Sequence, residues 1–394
     1  MELVERLREL FALRRNILVL TFSEIVSNTG WNMHGVVWQP YILSLGATMP
    51  ILGILISFQT LLRSGLLLVT GRVSDCVGRK RLMMAASILS IIGMALSILA
   101  GNWVLVLPTI LLWGIAGAFW EPAFRSMIAE SVEEEKRGTA FSLMSLTWFL
   151  PGFYAPAVAG FLGEIQGTRF VLTIQLFLEV SSFVTISVLV RETLKKRKKF
   201  DRKSLSSIKE VVRPRLDLSK FYAVSIINRF SMAIGEGIFF GMLMKTFGFT
   251  LIQLGILSNV FSAVVSSSQL FMGRLVDQHG RKRFLILSSG IMTLGFGGYI
   301  ISRSFSSFLF FHGLFGLGMS MWNPAHSAYL SNAVPDEERG RFFGDISGLM
   351  ALASFPAPIL GALLYENYGF QTTVLASMTF SLISFLTLTM IRER

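Results

Sequence analysis

Apolar runs of roughly 20 residues, the length of a helix that crosses a bilayer, recur along this chain and leave little else to fold. They fall near 17–44, 48–70, 82–101, 104–128, 139–163, 169–190, 220–246, 249–271, 284–302, 305–330, 340–362 and 370–391. In lipid each must satisfy its own backbone hydrogen bonds, so each is expected to be a helix. Only 15% of the 394 residues are charged, against about a quarter in a soluble domain. The expected class is an all-α membrane protein with twelve transmembrane helices.

The formal net charge is +12, and its placement matters more than its size. With the N-terminus set inside, three basic residues lie outside (Arg169, Lys245 and Arg303) and two lie within spans (Arg63 and Arg229). The rest flank inside segments. This asymmetry predicts a multi-pass protein of the plasma (cytoplasmic) membrane with both termini cytoplasmic. The basic balance then reflects topology and attraction to anionic lipid rather than nucleic acid. The single cysteine, Cys76, allows neither an intramolecular disulfide nor a cysteine zinc cluster. The start, MELVERLRELFALRRN, is charged and amphipathic with no small-residue cleavage site after it. The first run is therefore expected to be a retained helix.

The chain repeats itself. Residues 71–81 read GRVSDCVGRKR and residues 273–283 read GRLVDQHGRKR, 202 positions on. The same offset relates Gly46 and Gly53 to Gly248 and Gly255, Trp120-Glu-Pro122 to Trp322-Asn-Pro324, and Ala155-Pro156 to Ala357-Pro358. Two six-helix halves of one design follow. An even number of spans per half makes them parallel repeats about the membrane normal. The expected domains are 1–190, a basic cytoplasmic linker at 191–219 that lies on lipid headgroups, and 220–394.

Each copy of the repeated stretch fits a tight inside turn. Gly78 and Gly280 permit left-handed backbone, and Gly71 and Gly273 would let helices approach closely. Asp75 and Asp277 sit where they can meet nearby arginines or a helix N-terminus. The stretch resembles the loop 2–3 signature of the major facilitator superfamily, Gly-x-Leu-x-Asp-x-x-Gly-Arg-Lys/Arg, and the likeness covers essentially the whole chain. It departs at Val73, where leucine is usual, and at Cys76. The resemblance implies a secondary transporter with a conformational latch at Gly71, Asp75, Gly78 and Arg79, repeated at Gly273, Asp277, Gly280 and Arg281. In the family the first-half aspartate lies near the cytoplasmic start of the eleventh helix. A second likeness, FLPGFYAPAVAG at 149–160, is to the fifth-helix element of the drug:proton antiporter branch, with alanine for glycine at Ala155 and Ala159. The fourth-helix arginine of that branch has no counterpart, since its position falls near Ile110.

Ionisable groups at membrane depth cost at least a few kcal/mol, so each is a functional candidate. Glu24, Asn28 and Asn32 share one face of the first helix. Arg63, Glu121 and Arg125 lie at similar depth, so an inner charge cluster of Glu24, Arg63, Glu121 and Arg125 is expected. Glu179 sits mid-way along the sixth helix with Gln175 one turn earlier. Arg229 and Glu236 lie two turns apart on the seventh. Glu24, Glu121, Glu179 and Glu236 are the proton-coupling candidates, Glu24 first. With Arg63 near, its carboxylate is favoured, and with Arg63 withdrawn, the neutral acid is. Asn28, Trp31, Asn32, Arg63, Trp120, Arg229, His312, Trp322 and Asn323 are candidates for lining the substrate path.

No nucleophile–base triad, metal motif or nucleotide loop appears, so neither an enzyme nor a cofactor is expected. Transport energy must come from a gradient. The expected activity is alternating-access, proton-coupled export of amphiphilic organic molecules by a monomer. Uptake of a small metabolite, such as an organic anion or a sugar, and movement of lipid are the alternatives.

Overall fold

In a computed structural model, residues 15–133, 136–194, 219–333, 346 and 348–391 are described. The N-terminal stretch, most of the linker, and the repeat match at Arg339-Gly340 lie outside them. The helices are α1 (Arg15–Ser44), α2 (Met49–Val77), α3 (Arg79–Leu99), α4 (Leu107–Ser131), α5 (Arg137–Gly152), α6 (Ala155–Gln166), α7 (Thr168–Leu189), α8 (Ser219–Glu236), α9 (Phe239–Phe247), α10 (Leu251–His279), α11 (Arg281–Ile301), α12 (Phe305–Ala333), α13 (348–354) and α14 (Ala357–Met390). They occupy all twelve apolar runs.

Nine helical stretches among the described residues are long and apolar enough to cross a membrane. The last, 348–390, carries two of the expected spans, which meet at Gly369 with no intervening loop. α1 falls below the same threshold of apolarity because it carries Glu24, Asn28, Asn32 and His34. Those groups require protein rather than lipid around them.

The repeat reaches the backbone. Among the described residues every positive φ belongs to a glycine, and the six form three pairs at the 202-residue offset: Gly46 and Gly248, Gly78 and Gly280, Gly167 and Gly369. The third pair is weakly marked in the sequence, where Glu164 and Glu366 match three residues before it. The fifth span breaks at Phe153-Tyr154, between Pro151 and Pro156, and the eleventh breaks at the corresponding Phe355-Pro356. A proline has no N–H to donate and clashes with the preceding turn. The FLPGFYAPAVAG stretch at 149–160 is therefore interrupted rather than continuous.

The halves differ at their first spans. α1 runs unbroken through Gly35, whereas the seventh span ends at Glu236 and restarts at Phe239. Gly235 and Gly237 flank Glu236, and the conformational freedom of two glycines favours the break. The carboxyl group stands at its edge.

Packing divides the chain into two compact units: 1–37 with 62–205, and 38–61 with 206–394. The halves drawn from sequence put 38–61 in the first. In the structure this hairpin of α1 and α2 packs within the second unit. A Cβ on Gly53 would stand 2.6 Å from the Pro358 carbonyl oxygen, so the backbones there touch, as small residues allow in membrane helix pairs. The first unit has its own apolar core at Ile17, Leu20, Met83, Met127 and Ile186.

Candidate functional site

The second unit contains a cavity of about 290 Å³. Its polar lining is Gln39, Thr60, Arg229, Glu236, the backbone of Gly237, and Ser354. Arg229 and Glu236 are both reached by solvent and act on each other electrostatically. No ion pair closes between them among the described residues. A cation and an anion thus share one chamber with neither neutralised by direct contact.

Gln39 roofs this chamber by repairing the helix break. Its amide N–H donates to the Gly237 carbonyl at 3.0 Å, and its amide oxygen accepts from the Gly241 N–H at 2.9 Å. Gly241 stands in the first turn of α9, where backbone donors have no partner within the helix. Gln39 therefore serves as an N-cap delivered from a different helix. Gln39→Leu would leave both groups unsatisfied, at about 1–3 kcal/mol for a buried pair. The expected result is a lower melting temperature with faster hydrogen exchange at the Gly241 amide. Unchanged protection of that amide would remove the capping role.

In the first unit, α1 presents polar groups in two directions. Toward α5, Asn28 donates to the Thr147 hydroxyl at 3.2 Å, and Asn32 donates to the Trp148 carbonyl at 3.5 Å. Toward α7, the Ser27 hydroxyl donates to Glu179 Oε2 at 2.7 Å. One turn outward, His34 bonds Gln175 at 3.0 Å and packs edge-on against Trp31 and Trp113. Glu24 belongs to this second group. It lies one turn before Ser27 on α1 and is buried, and its Oε1 has no hydrogen-bond partner among the described residues.

The expected inner cluster is therefore divided. Arg63 bonds Glu121 at 2.9 Å, and Arg125 reaches the other oxygen of Glu121 at 3.2 Å. Glu24 takes no part. One helical turn contains residues of several orientations, and Ser27, at i+3 from Glu24, meets Glu179 on α7.

The other candidates separate as well. His312 is buried, bonded to the Tyr299 hydroxyl at 2.6 Å and stacked on Phe239, away from the cavity lining. Trp322 is buried against His326, and Trp120 stacks on Phe124. Both are packing residues in this structure. Asn323 is exposed and outside the cavity lining.

At the repeated turn, Gly78 and Gly280 have φ of 115° and 96°, as their glycine identity implies. Gly71 and Gly273 are not points of close approach, since a Cβ at either meets nothing within 4 Å. Arg79 is buried and holds Asp75 at 2.6 Å, Glu130 at 2.9 Å and the Ser74 hydroxyl at 3.0 Å. Glu192 accepts the backbone N–H groups of Arg79 and Lys80 at 3.0 and 3.2 Å. It is the anion at the N-terminus of α3. Arg281 is half-buried. The Asp277 side chain and the cytoplasmic start of the eleventh span lie outside the described residues.

Ser27, Gln39, Glu130, Thr147 and Glu192 do not stand out in the sequence. The spacing of Ser27 from Glu24 and Trp31 is the one available signal. The others act across long separations that no local pattern encodes.

A family model described as Major Facilitator Superfamily matches residues 20–242 and 221–394. The chain is 26% identical over 349 residues to the multi-drug resistance efflux pump PmrA of Streptococcus pneumoniae, covering 82% of this chain and 84% of that one. It is 23% identical over 330 residues to the multidrug resistance protein MdtG of Proteus mirabilis, covering 80% and 81%. Among solved structures, a point mutant of the nucleoside transporter NupG superposes with a TM-score of 0.79 at 14% identity, covering 96% of this chain and 100% of that one. At that identity the likeness shows the fold alone.

Proposed function

The chain belongs to the major facilitator superfamily, a family of transporters and not of enzymes, and on that premise we propose that this secondary transporter exports amphiphilic organic cations in exchange for protons. The observation that carries this reading is Glu236, a carboxyl at membrane depth that faces a solvent-reached cavity and is not closed into an ion pair. A carboxylate in such a chamber attracts a cationic solute. The same carboxyl binds a proton. Solute and proton then compete for one site, and alternate occupancy in two access states couples their movements. The relatives named as multidrug efflux pumps support the direction and the solute class.

A second reading has its own observation. The cavity is about 290 Å³, at the lower edge of the roughly 300–1,000 Å³ typical of ligand pockets, and it offers Arg229 as well. A small organic anion would use that cation. Reconstitution in liposomes separates the two. With an imposed proton gradient, the cationic dye ethidium is expected to move against the proton flow. Dye flux indifferent to the gradient, with gradient-driven movement of a small carboxylate, would favour the second reading.

The cytoplasmic placement of both termini is part of the proposal. Cys76 lies in the last turn of α2, two residues before Gly78, and is partly exposed. An impermeant thiol reagent applied to intact cells is expected to leave it unlabelled and to label it after the membrane is opened. Labelling in intact cells would reverse the orientation.

A further inference from the structure

We propose that a groove between α10 and α12, within the second unit, binds one tail of an anionic phospholipid whose headgroup sits at Arg303. The site takes the lipid from the bilayer and is separate from the chamber at Glu236.

The groove has a volume of about 540 Å³, inside the roughly 300–1,000 Å³ range of ligand pockets. Its wall on α12 runs from Ser306 through Phe310 and Leu314 to Leu317, and Val260 and Val264 face it from α10. Ser306 is the one polar side chain among its described lining residues. Two glycines of α12 set its depth. A Cβ on Gly316 would stand 3.2 Å from the Phe261 carbonyl oxygen, and one on Gly313 would stand 3.6 Å from Val260. The two helices are in near contact at that level, as small residues permit in membrane pairs. Toward Ser306, α12 alone lines the groove.

Length and charge identify the occupant. From Ser306 to Leu317, α12 rises about 16 Å. One leaflet contributes about 15 Å to the hydrocarbon core of a bilayer, so a straight alkyl tail fits the groove from headgroup level to the bilayer centre. Arg303 stands three residues before Ser306 and is exposed. Its Nη1 donates to the carbonyls of Ile300 and Ser302, both at 3.1 Å, which holds the guanidinium at the end of α11. No acidic side chain pairs with it among the described residues. Its charge adds to the positive end of the α12 dipole. An anionic headgroup at the end of the tail meets that charge, whereas an amphiphilic cation is repelled by it.

Fluorescence quenching of the full-length protein in liposomes tests the site. In a Cys76→Ser background, bimane is attached to Phe310→Cys on the groove or, as the control, to Leu294→Cys on α11. Both positions are exposed, and Leu294 is outside the groove lining. The liposomes hold phosphatidylcholine with a minor share of phosphatidylglycerol, and the tails of one lipid or the other carry bromine. At position 310, brominated phosphatidylglycerol is expected to quench about fivefold more than its share of the lipid, the effect of one basic residue at a membrane surface. At position 294 it should quench in proportion to its share. Arg303→Gln should remove the excess at 310, and Gly313→Leu, which fills the groove, should lower quenching there by both lipids. Arg303 is exposed, so Arg303→Gln decides the headgroup contact even if Gly313→Leu does not fold. Quenching at 310 in proportion to share, an equal excess at 294, or an excess that survives Arg303→Gln overturns the site. So does a label at 310 sheltered from both lipids, which would mark a second copy of the chain, or one released from quenching by ethidium, which would mark the solute.

Discussion

Glu236→Gln is expected to cut gradient-driven ethidium export about tenfold, as follows from losing about 1.4 kcal/mol of charge attraction at a position that solvent reaches. Melting temperature should change little. Glutamine has nearly the same shape, the position is reached by solvent, and no hydrogen bond or ion pair is broken among the described residues. Arg229→Ala should behave differently. Removing the cation opposite Glu236 leaves cation export in place and strengthens binding of the dye. A transporter of small anions would give the reverse, with Arg229→Ala inactive and Glu236→Gln tolerated. The two variants, measured side by side, separate the readings by sign as well as by size.

Arg79→Ala is expected to destabilise the first unit by about 3 kcal/mol, the scale for removing one member of a buried ionic network. Arg79 is 5% exposed and lies between Asp75 and Glu130. Without it two carboxylates face each other beside a buried hydroxyl. Arg79→Lys should recover only part of the loss, since one ammonium cannot meet Asp75, Glu130 and Ser74 in the planar arrangement the guanidinium supplies. Asp75→Asn removes one of the two acidic partners and leaves Glu130, so it should cost far less. Thermal unfolding of the three variants checks the order. Equal melting temperatures for Arg79→Ala and wild type would leave the turn with only its topological role.

The fold is legible because its strongest signals are local. Each apolar run specifies its own helix, and the 202-residue repeat specifies that six helices recur. The left-handed turns at Gly78 and Gly280 can be read from single residues. The site is legible in its charges and not in its pairings. Glu24 and Arg63 stand at similar depths, yet depth does not fix orientation. Three degrees of freedom, helix rotation, tilt and crossing, lie between a helical wheel and a contact. Ser27, one turn from Glu24, meets Glu179, while Arg63 finds Glu121 58 positions along. The break at Gly237 is hidden for a different reason. Its partner, Gln39, is 198 residues away on a segment that the repeat assigns to the other half.

The account depends most on the cavity beside Glu236 being where solute sits, and protection from chemical labelling tests it directly. In a Cys76→Ser background, cysteine placed at Thr60 or Ser354, both on the cavity wall, should react with a small thiol reagent. Ethidium should slow that reaction over the same concentration range in which it is transported, while a cysteine at exposed Leu99, distant in sequence and outside the cavity lining, should be indifferent. Labelling at Thr60 and Ser354 that proceeds at full rate under saturating, transported ethidium would contradict the site.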